Sequence, residues 1–272
     1  MKDTANRDMP SGEGPIRVTR QGAVATITLD RPRQRNPLNP ELLQHLTGAL
    51  DELERDAGIR AVILTGAGTV FCAGAELGTI IHPDGLDGEF QFQLLRDCFK
   101  LAQRIREIDL PVIAAVNGIA VGGGAALALA CDFAIAAPTA RYHFAFGRVG
   151  AAGCDMGCAY LLPKIVGTLR AKQWLLTGAA IDAEEGKAAG LFVEVCPADR
   201  LLSRAQELAA QIEANGPRRA VAATKFSVAR GEEADFQTCI SYEAYVQSFM
   251  FTLDDHRIRL RGYLEQRKTK PA

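Results

Sequence analysis

Two places in the chain hold groups suited to chemistry. The first is Gly122-Gly123-Gly124. It follows the apolar stretch Ile113 to Val116 and the turn signal Asn117-Gly118, and it opens an Ala/Leu run with no breaker before Cys131-Asp132. This order reads as strand, turn and buried helix, which sets the glycines at a helix N-terminus. N–H groups there have no intrahelical partner, and the helix dipole favours negative charge. Without Cβ atoms the backbone can approach a ligand closely. The competing reading is that the glycines only let the helix pack tightly. A second loop of small residues, Phe71-Cys72-Ala73-Gly74-Ala75-Glu76-Leu77, adds weight to a site. The second place is the Gly-dense segment 141–158, whose one carboxylate is Asp155. A lone carboxylate on a site wall suits proton transfer. Desolvation by Ala151, Ala152, Met156 and aromatic neighbours raises such a group toward neutrality. Asp155 also fits an N-cap before Met156-Gly157-Cys158-Ala159, and the two roles are compatible.

Other groups in these segments carry bland readings beside functional ones. His143 and Arg148 share the wall segment with Asp155 and read as surface or core residues, or as a second site group and a partner for a carboxylate. Cys154 and Cys158 stand four apart, but the four histidines (45, 82, 143, 256) are scattered, so zinc is not expected. Tyr245 and Phe249 lie on one helical face, with core packing as the default and closure of a pocket by a neighbouring subunit as the alternative. A dinucleotide site would need glycines spaced as G-x-G-x-x-G, and a serine hydrolase a Gly-x-Ser-x-Gly elbow; the chain has neither.

The chain that must position these groups has 272 residues, 48% hydrophobic and 23% charged, with a net charge of −1. That balance gives no global basic field for nucleic acid or an anionic membrane. The seven cysteines form no CxxC pair, and Cys72, Cys131 and Cys196 sit in apolar runs, as reduced buried thiols do. No apolar run reaches membrane-spanning length without interruption. A cytoplasmic protein is expected.

In chain order, residues 1–15 read as a mobile tail. Strands are predicted at Ile16–Thr19, Ala23–Leu29, Ala61–Gly66, Ile113–Val116 and Phe133–Ala136. Asn39-Pro40 caps and starts a helix to about Arg55. Further helices run from Phe90 to Arg106 and from Ala171 to Thr177, the latter ended by Gly178. Asp182-Ala183-Glu184-Glu185 is a capping box for a helix to about Ala189, and Asp199 to Ala214 is amphipathic before the stop Asn215-Gly216-Pro217. Residues 218–267 read as two or three helices. The stretch from about 77 to 88 reads as a surface loop or a lid, and no repeat recurs at fixed spacing.

These segments, taken together, resemble the enoyl-CoA hydratase/isomerase (crotonase) superfamily. The resemblance covers about residues 16–267. It is carried by Asp30-Arg31-Pro32 with Asn36, by Phe71 to Leu77, by Pro111 to Gly118 with Gly122-Gly123-Gly124, by Cys131-Asp132, and by Leu176-Thr177-Gly178. It implies an α/β fold: a spiral of ββα units over 16–198 that binds acyl-CoA, then a C-terminal helical oligomerisation region over 199–272. The family builds trimers, usually paired into hexamers. Its substrate is an acyl-CoA thioester, so coenzyme A comes with the substrate and no separate cofactor, metal, nucleic acid or membrane is implied.

By motif position, the resemblance makes the backbone N–H groups of Ala75 and Gly123 the oxyanion donors that hold a thioester enolate. It lays CoA along Arg35 and Asn36 and along Ala73, Gly74, Glu76 and Leu77, with Gly122 beside the donors. Arg31, Arg33 and Arg35 then either face CoA phosphates or form a solvated loop. The chain departs from the hydratase pattern at two glutamates: one position holds Ala126, the other falls on Gly147 or its neighbours. Asp155 matches a loop acid carried by double-bond isomerases of the family. The expectation is an enoyl-CoA isomerase with Asp155 as its single base. The alternatives are a hydratase or dehydratase with an unusual substrate, and an acyl-CoA-binding homologue without chemistry.

Overall fold

A computed structural model describes residues 14–82, 84, 85 and 87–269. The tail expected over 1–15 lies outside the described residues except for Gly14 and Pro15. Two short strands, β1 (Ile16–Gln21) and β2 (Val24–Leu29), form an antiparallel hairpin around Gly22. Helix α1 (Pro40–Arg55) starts where Asn39 Oδ1 accepts the Leu42 N–H at 2.9 Å. Its Leu42, Leu46, Leu50 and Leu53 recur at helical spacing and are all buried.

Three ββα units follow, and they position the site. The first is β3 (Ala61–Gly66), β4 (Val70–Cys72) and α2 (Gly88–Glu107). The second is β5 (Val112–Val116), β6 (Ile119–Val121) and α3 (Gly123–Ala130). The third is β7 (Phe133–Ala136), β8 (Arg141–His143) and α4 (Cys158–Val166). After α5 (Thr168–Thr177), β9 (Ala180–Asp182), α6 (Ala183–Ala189) and β10 (Glu194–Val195) complete the sheets.

The first strand of each unit enters a six-stranded sheet ordered β1-β2-β3-β5-β7-β10, parallel beyond the hairpin. The second strand of each enters a four-stranded sheet ordered β4-β6-β8-β9. This is the crotonase spiral that the motifs imply. The units begin at residues 61, 112 and 133, so insertions separate them unevenly and no fixed sequence period exists.

Several local expectations are corrected. The 71–77 stretch is not all loop, because Val70–Cys72 pairs in parallel with β6. Strand β6 itself stands between the Asn117-Gly118 turn and the glycines. Asp155 is not a helix N-cap. Gly157 holds that place for α4, in a left-handed conformation and without a side-chain cap.

Helix α3 is buried along its whole length, as a run of Ala and Leu without a polar face requires. It packs so closely on β4 that a Cβ at Gly124 would overlap the Cys72 carbonyl. Here the tight-packing reading of the glycines holds, and it holds together with an open helix end.

The chain divides into two compact units, residues 1–211 and 212–272, and the division falls within α7 (Leu201–Asn215). The second unit has α8 (Arg218–Gly231), α9 (Phe236–Thr252) and α10 (Asp254–Thr269). Asp235 caps α9 through the Thr238 N–H at 3.0 Å. The Arg259 guanidinium donates to the Ala214 carbonyl at 3.1 Å. Tyr245 and Phe249 are exposed on α9 and are not core residues of this chain. No helix among the described residues is long and apolar enough to cross a membrane.

Candidate active site

Two backbone N–H groups without acceptors line one cavity. Leu38 and Ala75 form an isolated parallel bridge: the Leu38 N–H donates to the Gly74 carbonyl at 2.7 Å, and the Glu76 N–H donates to the Leu38 carbonyl at 2.8 Å. The residue between them, Ala75, turns its own N–H to the other side. Among the described residues that N–H meets no acceptor. Gly123 is the first residue of α3, so its N–H has no intrahelical acceptor either. The neighbouring Gly122 N–H is tied to the His143 carbonyl at 2.8 Å, which fixes the turn. Ala75 and Gly123 line a cavity of about 600 Å³, in the first unit.

Gly74 brings the two donors together. It sits at φ +82°, and a Cβ there would lie 2.5 Å from the Val121 carbonyl and 3.4 Å from Gly123 N. Gly74→Ala is expected to cost about 1–3 kcal/mol for the backbone conformation alone, with the clash added. Thermal melting and turnover of the variant check this; both are expected to fall.

Side chains brace the same strip. Asn39 Nδ2 reaches the Glu76 carboxylate at 3.3 Å, and the Thr79 hydroxyl donates to Glu76 Oε2 at 2.8 Å. Glu76 therefore holds the loop together and does not line the cavity.

Asp155 lines the same cavity. Its Oδ1 accepts the Met156 N–H at 2.8 Å, and its carbonyl accepts the Cys158 N–H at 2.9 Å. Met156 adopts φ +46°, rare for a bulky residue, and is buried with its Sδ 3.4 Å from the place a Cβ on Gly123 would take. The strained residue thus backs the donor site, and the acid that precedes it lines the same cavity. Burial pushes the Asp155 carboxyl up from its ordinary value, and the Met156 N–H pulls it partly back. Cys98 and Cys158 both feel its charge. Burial pushes each thiol up to about 12, so both are neutral at neutral pH.

His143 and Arg148 also line the cavity. Burial, and then the Arg148 charge, push the imidazole down, against the pull of the Gly178 carbonyl. A lowered histidine is neutral at neutral pH. Its Nε2 is buried without a partner among the described residues.

Of the residues expected to contact CoA, Ala73, Gly74, Leu77 and Gly122 line the cavity, while Arg35, Asn36 and Glu76 do not. Arg35 is exposed, with its carbonyl accepting the Ala73 N–H at 3.0 Å. Arg31 is ion-paired with Glu41. Asn36 is wholly buried. Its Oδ1 accepts the Arg31 N–H at 2.9 Å, and its Nδ2 donates to the Val70 carbonyl at 2.8 Å and the Ala67 carbonyl at 3.0 Å. That carboxamide locks the loop and has nothing left for a ligand. Asn36→Ala is expected to cost about 2–4 kcal/mol of stability by orphaning these groups. Denaturant unfolding measures it; a raised KM at unchanged stability would return Asn36 to the ligand.

The two missing glutamates are accounted for. Ala126 is buried inside α3. Beside Gly147, it is Phe146 that lines the cavity, its ring 3.4 Å from a Cβ placed on Gly122. Asp155 is the one carboxylate among the described lining residues. No three His, Cys, Asp or Glu side chains gather as metal ligands among the described residues. Sequence reasoning missed the α2 wall: Gln91, Leu95 and Phe99 line the cavity. Their spacing of four places them on one helix face, a signal present in the sequence.

Two free N–H donors beside a desolvated carboxylate can stabilise negative charge on an oxygen while moving a proton nearby. The chain is 34% identical over 250 residues to the short-chain-enoyl-CoA hydratase of Clostridium acetobutylicum, covering 92% of this chain and 94% of that one. It is 34% identical over 245 residues to the 1,2-epoxyphenylacetyl-CoA isomerase of Escherichia coli, covering 90% and 93%. The crystal structure of an enoyl-CoA hydratase from Bacillus anthracis superposes with a TM-score of 0.86 at 34% identity, over 93% of this chain and 96% of that one. The profile of the enoyl-CoA hydratase/isomerase family matches residues 19–271. This chain is an enzyme of the enoyl-CoA hydratase/isomerase family.

Proposed function

We propose that the enzyme shifts a double bond in an enoyl-CoA thioester, with Asp155 as its single base. One observation carries the reading: the cavity with both unpartnered backbone donors, Ala75 and Gly123, has one carboxylate on its wall among the described residues. The thioester carbonyl oxygen sits between the two N–H groups. Asp155 takes a proton from C2 of a 3-enoyl thioester, and the electron pair moves into the dienolate. The donors hold the oxyanion, where each is worth about 3 kcal/mol of barrier. Asp155 returns the proton to C4, which leaves the conjugated 2-enoyl thioester and the carboxylate as it began. No cofactor enters this cycle, because coenzyme A arrives with the substrate along Ala73 and Gly74.

Hydration is the weaker reading. It needs a water held by groups that divide acid and base work, and Ala126 and Phe146 supply neither. The assembly proposed is a homotrimer or hexamer. Phe236, Tyr245, Ile258 and Tyr263 are exposed on the helices of the second unit, where a neighbouring copy would cover them. Size-exclusion chromatography with light scattering tests it.

The functional test is spectrophotometric. Mixing the enzyme with 3-enoyl-CoA thioesters is expected to raise the absorbance of the conjugated thioester. No rise at any chain length, with loss of absorbance from 2-enoyl-CoA instead, overturns isomerisation in favour of hydration.

A further inference from the structure

We infer that the acyl group this enzyme takes is an apolar chain of medium length, about eight to twelve carbons, and not a short one. The inference rests on the acyl-CoA reading of the cavity. It is carried by how the cavity is walled and how large it is.

One wall is the face of α2 that presents Leu95 and Phe99. A second is the loop that presents Leu77, Ile80 and Ile81. The two walls are fastened to each other, since Gln91 Nε2 on α2 donates to the Ile80 carbonyl at 3.2 Å. Leu77 and Ile81 are joined in a bridge of their own. Apart from Gln91, whose amide is spent on the Ile80 carbonyl, the side groups of both walls are apolar, and Leu77 and Phe99 stand 70% and 46% exposed. A four-carbon acyl group ends near the thioester and leaves this surface wet. A longer chain covers it, and covering apolar surface is the favourable step.

The volume supports the same size. An apolar cavity of about 150 Å³ takes one benzene ring. At about 600 Å³ this one is four times larger. With half reserved for the thioester and its pantetheine arm, the remainder holds about two such rings, or about twelve carbon atoms. Asp155 and Arg148 are the formal charges on the walls among the described residues. Asp155 is assigned to the chemistry, and Arg148 stands at an exposed position.

The experiment has a binding arm and a turnover arm. Calorimetry with saturated butyryl-, hexanoyl-, octanoyl- and decanoyl-CoA reads affinity without chemistry. Each methylene that enters the cavity is expected to tighten binding by up to about fourfold, and decanoyl-CoA to bind at least about tenfold more tightly than butyryl-CoA. In turnover, kcat/KM is expected to rise in the same order from 3-hexenoyl- to 3-decenoyl-CoA. Leu95→Trp fills the α2 side, and Leu95→Phe is the milder filling should the indole disturb the fold. Either is expected to collapse the ratio of decanoyl to butyryl affinity toward one. A flat series, tightest binding of butyryl-CoA, or a preference for an acyl chain ending in a carboxylate at Arg148 overturns the inference. Affinity that rises with length, without isomerisation at any length, leaves the inference standing and removes the reaction reading instead.

Discussion

Gly123→Pro is expected to lower kcat by about 10²–10³-fold while the protein stays folded. The change removes one hydrogen atom that matters and puts a ring carbon in its place. Gly123 is the first residue of α3, and proline is well tolerated at a first helical position because no intrahelical bond is lost there. The residue before a proline is pushed out of the α region. Gly122 is already outside it, at φ 49° and ψ −117°, the mirror image of extended backbone, which only glycine adopts freely. What changes is the donor that, on the proposed reading, faces the thioester oxygen. Gly123→Ala is the control. It keeps the N–H, and its Cβ meets Leu38 Cδ1 at 2.9 Å and Met156 Sδ at 3.4 Å, both ends of flexible side chains. Alanine is therefore expected to lose far less than proline. Steady-state kinetics beside a thermal melt separates the two. Equal losses in both variants would mean that space, not the N–H, is what the position supplies.

The contrast shows which parts of the site a sequence can display. A donor made of backbone is legible through the residues that must surround it, and Gly74 and Gly122-Gly123-Gly124 were visible for that reason. The Asn39-Pro40 helix start and the Asp182 cap were legible because a capping side chain acts within three residues of itself. The spiral was not legible from periodicity. Strands β6 and β8 have three residues each, too short for alternation to register, and the units start at uneven intervals. Asn36 shows the limit of a polar residue in a motif loop. Its type suits a ligand as well as it suits a buried knot, and only the Ala67 and Val70 carbonyls 31 and 34 residues away decide between them. The positive φ of Met156, which follows Asp155, has no sequence signal at all, because the residue is not glycine.

Asp155→Asn is expected to abolish turnover and stabilise the protein at the same time. On the proposed reading of Asp155 as the single base, its loss costs about 10³–10⁴-fold in kcat, the upper range for acid–base groups. Asparagine keeps the shape and the oxygen that accepts the Met156 N–H. The stability effect follows from the raised carboxyl. A group whose folded value lies above its unfolded value favours folding while it is protonated. That contribution is fully present below the unfolded value of 3.8 and is lost as pH rises through the raised folded value. Above that raised value the wild type therefore folds with an ionised carboxylate that its surroundings disfavour, and the asparagine variant does not. The two proteins are expected to melt alike at the acid end of this window, with the variant melting higher by an amount that grows toward neutrality. The same raised carboxyl moves the acid limb of kcat/KM above the ordinary carboxylate range, since the base works only when ionised. Melting curves and pH–rate profiles of both proteins test this pair. A variant that stays active moves the base elsewhere, with His143 as the next titratable group on the wall. A variant that is dead but no more stable than wild type means that Asp155 is better solvated than its burial implies. On the proposed reading, the acid is kept where folding disfavours its charge because that is where the proton leaves C2, a placement that trades stability for function.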